Sequence, residues 1–141
     1  MKIPFGKPLI NKKEINNVIK VLQGTQLVHG PVAQSFEKEF SKFLKAKHCI
    51  SLSSCTSGLH LSLHVNGIGH NDEVIVPAMT HVATAHAVEH VNAKPIFVDV
   101  DEETGNINSN SIKEKINSST KAVIVVHYLG LPCEMTSIKK V

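Results

Sequence analysis

The run "SLSSCTSGLHLSL", residues 51–63, sets hydroxyl side chains at Ser51, Ser53, Ser54, Thr56 and Ser57 around Cys55, directly ahead of an apolar repeat. An extended apolar run ("HCISLS", 48–53) hands over here to a helical one, so small donors gather at a helix start. The first amides of a helix have no partner inside it, and the helix dipole adds positive partial charge there. Such a start suits a phosphate or another anion. The same residues suit an ordinary Ser or Thr cap, and local chemistry alone leaves both uses open. Neither G-x-G-x-x-G nor G-x-x-x-x-G-K-[ST] occurs, which removes support for both glycine-rich phosphate loops.

Histidines are the second set of candidates, nine in 141 residues. His60 with His64, and His86 with His90, stand four apart, the spacing that puts two imidazoles on one helix face and that two-histidine metal sites use. Neither pair lies in H-E-x-x-H and no carboxylate is evidently placed to complete a shell, so no metal is expected. Cys55 would serve as a nucleophile only with a base, and none is identifiable. Cys49, Cys55 and Cys133 are too few and too irregular for a disulfide framework or a zinc ribbon, which fits a reducing compartment.

The elements that must position these residues alternate. Asn11 with Glu14 is a capping box, and Ile15, Val18, Ile19 and Leu22 follow at helical spacing up to Gly24. Pro31 opens a second helix whose apolar face is Val32, Phe36, Phe40, Phe43 and Leu44. Strands are expected at 48–53, 73–77, 94–100 and 121–127, with helices at about 56–66, 80–91 and 109–117 between them. Unbroken apolar strands joined by helices predict an α/β protein with a mostly parallel sheet covered on both faces. "CEMTSIKKV" reads as a loop, a Thr136 cap and one helical turn, so the chain is expected to be a fragment.

Composition narrows the function classes. The chain is 42% hydrophobic and 19% charged, ordinary for a globular domain, and its net charge of +3 comes from 15 basic residues interleaved with 12 acidic ones. With no basic stripe, one Tyr and no Trp, nucleic acid is not an expected partner. The amino terminus carries Lys2 but no apolar h-region, and no run spans a bilayer, so neither a signal peptide nor a membrane is expected and the location is expected to be cytoplasmic.

"GPVAQSFEKEFSKFL", "SLSSCTSGLHLSL", "GIGHNDEVIVPAMTHVATAHAV", "AKPIFVDVDEETGNI" and "TKAVIVVHYLGLPCEM" follow one another as in the DegT/DnrJ/StrS family of sugar aminotransferases, which this sequence resembles over nearly its whole length. The resemblance implies the large domain of a fold-type I pyridoxal 5'-phosphate (PLP) enzyme, a homodimer, and transfer of an amino group, usually from glutamate, to a keto group of a nucleotide-linked deoxysugar. It makes residues 1–30 a helix and a loop approaching the active site, and 31–141 the first part of the PLP-binding domain. It gives Thr56 and the Ser57 amide the cofactor phosphate, and His81 the place of an aromatic that lies on the pyridine ring. Thr25 becomes a substrate contact and His127 a residue near the cofactor pocket.

In that family the Schiff-base lysine and the acid that holds the pyridine nitrogen come later than any residue here, so no catalytic residue is expected in this chain. Lys94 and Lys121 open strands at the far end of the sheet, and Lys2, Lys7, Lys12, Lys13 and Lys20 belong to the exposed first region. The segment alone is expected to be inactive. Two alternatives share these features: a PLP-dependent sugar dehydratase, and a truncated dimerisation or ligand-binding module without catalysis.

Overall fold

The computed structural model describes residues 6–141; Lys2, and with it the start of the 1–30 region, lies outside them. By its contacts the chain divides into two compact units, residues 1–51 and 52–141.

In the first unit, α1 (Lys12–Leu22) begins at the expected capping box: Lys13 N donates to Asn11 Oδ1 at 2.8 Å, and Asn11 N donates to Glu14 Oε2 at 2.7 Å. Pro31 opens α2 (Pro31–Leu44), which stops at Lys45 in the left-handed region, φ 54°. Neither helix buries a residue among those described. Ile15, Val18, Ile19 and Leu22 of α1 and Val32, Phe36, Phe40, Phe43 and Leu44 of α2 all stand exposed, so both apolar faces are present and uncovered.

The strand expected at 48–53 does not form. Ser51 donates through its amide (2.8 Å) and its hydroxyl (2.7 Å) to Glu37 Oε1, while Ile50 and Leu52 stay exposed. The segment pairs with no described strand, and a carboxylate takes the amide instead.

The second unit is a three-stranded parallel sheet in the order β2-β1-β3, with β1 Glu73–Pro77, β2 Lys94–Val98 and β3 Thr120–Val123. Glu73 to Pro77 register with Lys94 to Val98, and the β3 register shifts by one between Glu73 and Val74. The central strand is buried from Val74 through Pro77, and its alternation feeds two cores. Val74 and Val76 join Leu63, Ala87, Val88, Val91 and Ala93 under α3 (Cys55–Val65) and α4 (Ala83–Glu89). Ile75 faces the other way and joins Val98, Ile107, Ile112, Cys133 and Ile138 under α5 (Ser109–Lys115) and α6 (Met135–Ile138). Helices thus cover both faces, as parallel strands require.

Several boundaries differ from expectation. β2 ends at Val98 rather than 100, and β3 at Val123 rather than 127, with one last ladder bond from Ile124 N to Ile75 O at 2.8 Å. Both neighbours run out because β1 is only five residues long: on the β2 side the last bond runs from Ala78 N to Val98 O at 2.9 Å, and on the β3 side, where Glu73 N donates to Ser119 O, Pro77 has no N–H to give. Val100 pairs with Ile107 across a turn instead. The helix expected at 80–91 starts at Ala83, after a turn in which the Thr80 and Thr84 hydroxyls lie 2.9 Å apart. α6 begins at Met135, so Thr136 lies inside the helix and is not its cap.

Candidate active site

In a parallel sheet every strand delivers its following loop to one edge, so segments 78–82, 99–108 and 124–134 gather at the carboxyl edge of β1, β2 and β3. α3 leads into the amino end of β1 through the turn 66–72 and packs beside α4, so its first turn opens toward the same edge.

At that first turn Ser54 is the N-cap, with extended backbone (φ −161°, ψ 161°), and its Oγ accepts from Ser57 N at 3.1 Å. The Ser57 hydroxyl lies 3.0 Å from that of Ser54 and 3.2 Å from that of Ser53. The cap and the anion site are therefore not exclusive: Ser54 occupies the Ser57 amide, while the amides of Cys55 and Thr56 find no acceptor among the described residues. Thr56 and Ser57 are half-buried, and no acidic residue sits in the first turn. Two open amides, the Thr56 hydroxyl and the positive end of an 11-residue helix fit a phosphate group.

His81 is exposed, and its Nδ1 accepts from Ala83 N at 3.1 Å while its carbonyl accepts from Thr84 N at 3.0 Å. The imidazole is thereby held to the first amide of α4, whose N-cap is Val82. No hydrogen bond joins His81 to Thr56 or Ser57 among the described residues; what they share is the edge of the sheet. Thr25 belongs to the first unit, where with Gln26, His29, Pro31 and Phe36 it lines an open groove.

His127 does not close a strand, since β3 has ended four residues earlier. It is exposed, and its Nδ1 accepts from Cys133 N at 3.0 Å, tying the two ends of the loop 127–133 together. Cys133 Sγ donates to Val126 O at 3.1 Å, and burial pushes its thiol above the ordinary range.

The residue that organises this edge is one the sequence reading passed over inside the connector "DEETGNIN". Asn106 is 6% exposed; its Oδ1 accepts from Tyr128 N at 2.9 Å, and its Nδ2 donates to the carbonyls of Leu131 (3.0 Å) and Pro132 (3.4 Å). It clamps the loop after β3 onto the turn after β2. Beside it Gly105 takes φ 69°, and a Cβ there would sit 2.7 Å from both Met79 Cε and Tyr128 Cδ1, so segments from all three strands meet over a residue with no side chain. The signal was the Gly-Asn pair at the end of a carboxylate-bracketed turn. Asp101 Oδ1 accepts from the Thr104 hydroxyl and amide (both 2.9 Å) and from Glu103 N (3.2 Å), bonds that hold its carboxyl below the ordinary range, the Thr104 hydroxyl most of all.

Lys94 and Lys121 lie at the amino ends of β2 and β3, bonded to Glu73 (3.4 Å) and to Ser118 O (3.0 Å). Among the described residues no three His, Cys, Asp or Glu side chains are grouped to hold a metal as they stand, and no helix is long and apolar enough to cross a membrane.

A profile of the DegT/DnrJ/EryC1/StrS aminotransferase family matches residues 8–141. The spore coat polysaccharide biosynthesis protein SpsC of Bacillus subtilis is 43% identical over 136 residues, 96% of this chain and 35% of that one. Spr1654 of Streptococcus pneumoniae, solved in PMP and PLP forms, superposes in its PMP form with a TM-score of 0.94 at 33% identity, over 100% of this chain and 36% of its own. PseC of Helicobacter pylori, an aminotransferase involved in the biosynthesis of pseudoaminic acid, gives 0.88 at 29% identity, over 99% and 38%. The chain thus spans little more than a third of the length of these relatives. Its parallel sheet with helices on both faces is that of the fold-type I PLP aminotransferases. Matched along almost its whole length, the chain belongs to the DegT/DnrJ/EryC1/StrS aminotransferase family.

Proposed function

We propose that the full-length protein is a PLP-dependent aminotransferase that moves an amino group from glutamate to a keto group of a nucleotide-linked deoxysugar, in amino-sugar synthesis for surface polysaccharide. We assign residues 31–141 to the cofactor-binding domain and residues 1–30 to a segment that approaches the active site, in a cytoplasmic homodimer. Pyridoxal phosphate is the expected cofactor; when bound it supplies an electron sink for the bonds at the amino-bearing carbon. The residues of this chain hold and orient. The Cys55 and Thr56 amides and the Thr56 hydroxyl take the phosphate, and Ser57 joins with its amide once the Ser54 hydroxyl turns aside. His81, fixed by Ala83 N, lies against the ring. His127 supports the pocket from its loop, and Thr25 meets the substrate. The lysine and the acid that complete the chemistry are assigned to residues outside this chain.

The observation that carries this assignment is the pair of open amides and the hydroxyl at the start of α3, with no carboxylate in its first turn to compete. Removing one charge-assisted bond costs about 1.5–3 kcal/mol, so Thr56→Val is expected to weaken PLP binding about tenfold or more. The test follows cofactor absorbance in the full-length protein, together with mass-spectrometric detection of amino sugar from glutamate and a nucleotide-linked ketosugar. Unchanged PLP affinity in Thr56→Val would overturn the phosphate assignment, and absence of aminated sugar with PLP bound would overturn the reaction.

A further inference from the structure

The two histidine pairs that the fold leaves outside the cofactor site are brought together by it. His60 and His64 lie one turn apart on α3, with ring centres separated by 6.3 Å. His86 and His90 lie one turn apart at the end of α4, 6.5 Å between centres. Across the seam His60 faces His90 at 5.5 Å, so four imidazoles form one continuous row over two helices. His64, His86 and His90 are exposed and His60 half-buried. None of the four rings donates or accepts a hydrogen bond within the protein among the described residues, in contrast to His81 and His127. Beneath the row the helices are locked together through Leu63, Ala87, Val88 and Val91, so their spacing is fixed while the rings above can turn.

We propose that His60, His64, His86 and His90 form a site for a borderline-soft divalent transition-metal ion of the Zn2+ class, clipping α3 to α4. Imidazole nitrogen is a preferred ligand of such ions, and four of them match a tetrahedral shell. With Zn–N near 2.0–2.1 Å and the ring centre about 1.2 Å behind the nitrogen, two imidazoles on a tetrahedral ion have centres about 5.3 Å apart. The seam pair, at 5.5 Å, already has that separation. The two intrahelical pairs are about 1 Å wider than the tetrahedral value, so the shell requires the exposed end rings, His64 and His86, to swing toward the seam by rotation of their side chains. As the rings stand no three converge, so the site forms on binding. Its consequence is mechanical: the ion would tie together the helix that Ser54 caps and the helix whose first amide His81 accepts. The inference rests on the histidine row alone and is independent of the cofactor assignment.

The test uses the full-length protein, titrated with Zn2+ against a chromophoric chelator and, in parallel, with Co2+ followed by visible absorption. One ion per chain is expected, with the intense Co2+ bands of a tetrahedral site. His60→Ala and His90→Ala should each weaken binding at least about tenfold, and the double variant at least about a hundredfold. His64→Ala and His86→Ala should each lower affinity as well. His70→Ala, whose ring joins none of these pairs, should leave it unchanged, and metal-free melting temperatures of all variants check that the fold is intact. Three results would overturn the proposal: no stoichiometric binding at micromolar Zn2+, binding indifferent to the His60 and His90 substitutions, or two weak ions bound independently, one to each helix.

Discussion

Asn106→Ala is the most informative single substitution in the chain. It deletes an acceptor 2.9 Å from Tyr128 N and a donor 3.0 Å from Leu131 O, at a site only 6% exposed; the third contact, 3.4 Å to Pro132 O, is at the limit of a hydrogen bond and counts for little. Each of the two good bonds contributes about 1 kcal/mol net, and each partner left unsatisfied in a buried place costs about 1–3 kcal/mol. Because the loop 127–133 has exposed residues at Leu129 and Leu131, water can reach part of the gap, and the lower half of that range applies, about 2–4 kcal/mol in all. Urea denaturation of the full-length protein should show this loss. Hydrogen exchange should show the Tyr128 amide opening about 30- to 700-fold faster, the same energy expressed at 1.4 kcal/mol per factor of ten. Asn110→Ala, at an exposed position in the first turn of α5, is the control and should be near neutral. If Asn106→Ala costs no more than Asn110→Ala, or if Tyr128 keeps its protection, the clamp does not hold the loop.

Gly105→Ala forces a side chain into φ 69° and within 2.7 Å of Met79 and Tyr128, so it should destabilise by about 1–3 kcal/mol in a melt of the full-length protein. Ser54→Ala removes the α3 cap for a loss of about 1 kcal/mol while freeing the Ser57 amide; PLP titration should show affinity retained or raised, and a tenfold loss would show that Ser57 N–H does not serve the phosphate. Asp101, held low chiefly by the Thr104 hydroxyl, Glu73, by the Asn117 side chain, and Glu37, by the Ser51 amide, all ionise more readily folded than unfolded. Their contribution is full above the ordinary carboxylate pKa and is lost as pH falls through the depressed folded values. Chemical denaturation should therefore find stability level from neutrality to about pH 5 and falling below about pH 4, with a shallower fall in Asp101→Asn.

What the sequence made legible was whatever depends on neighbours along the chain. The Asn11–Glu14 box, Pro31 at the first turn of α2 and the start of α3, one residue before the expected 56, are local hydrogen-bonding and dihedral matters. Strand ends were less legible, because a strand exists only where a partner offers a ladder. "HCISLS" has strand composition but bonds Glu37, and the apolar runs after Val98 and Val123 outlast a central strand of only five residues. The site was legible in part for the same reason. Thr56 and Ser57 stand in the first turn of a helix that local rules predict and His81 was named only through the family resemblance, whereas Asn106 acts on residues 22 to 26 positions away and looks like any turn asparagine until the fold joins those loops.

Because β1 sends Val74 and Val76 to one side and Ile75 to the other, the two apolar clusters stand back to back with only a backbone between them. A void opened under α4, at Val88 for instance, cannot be filled by side chains beneath α5, nor the reverse at Ile112. Losses on opposite sides should simply sum, whereas changes on one side should interfere with each other. This unit therefore has two independent tolerances to mutation rather than one, and an engineer could rework either layer without renegotiating the other.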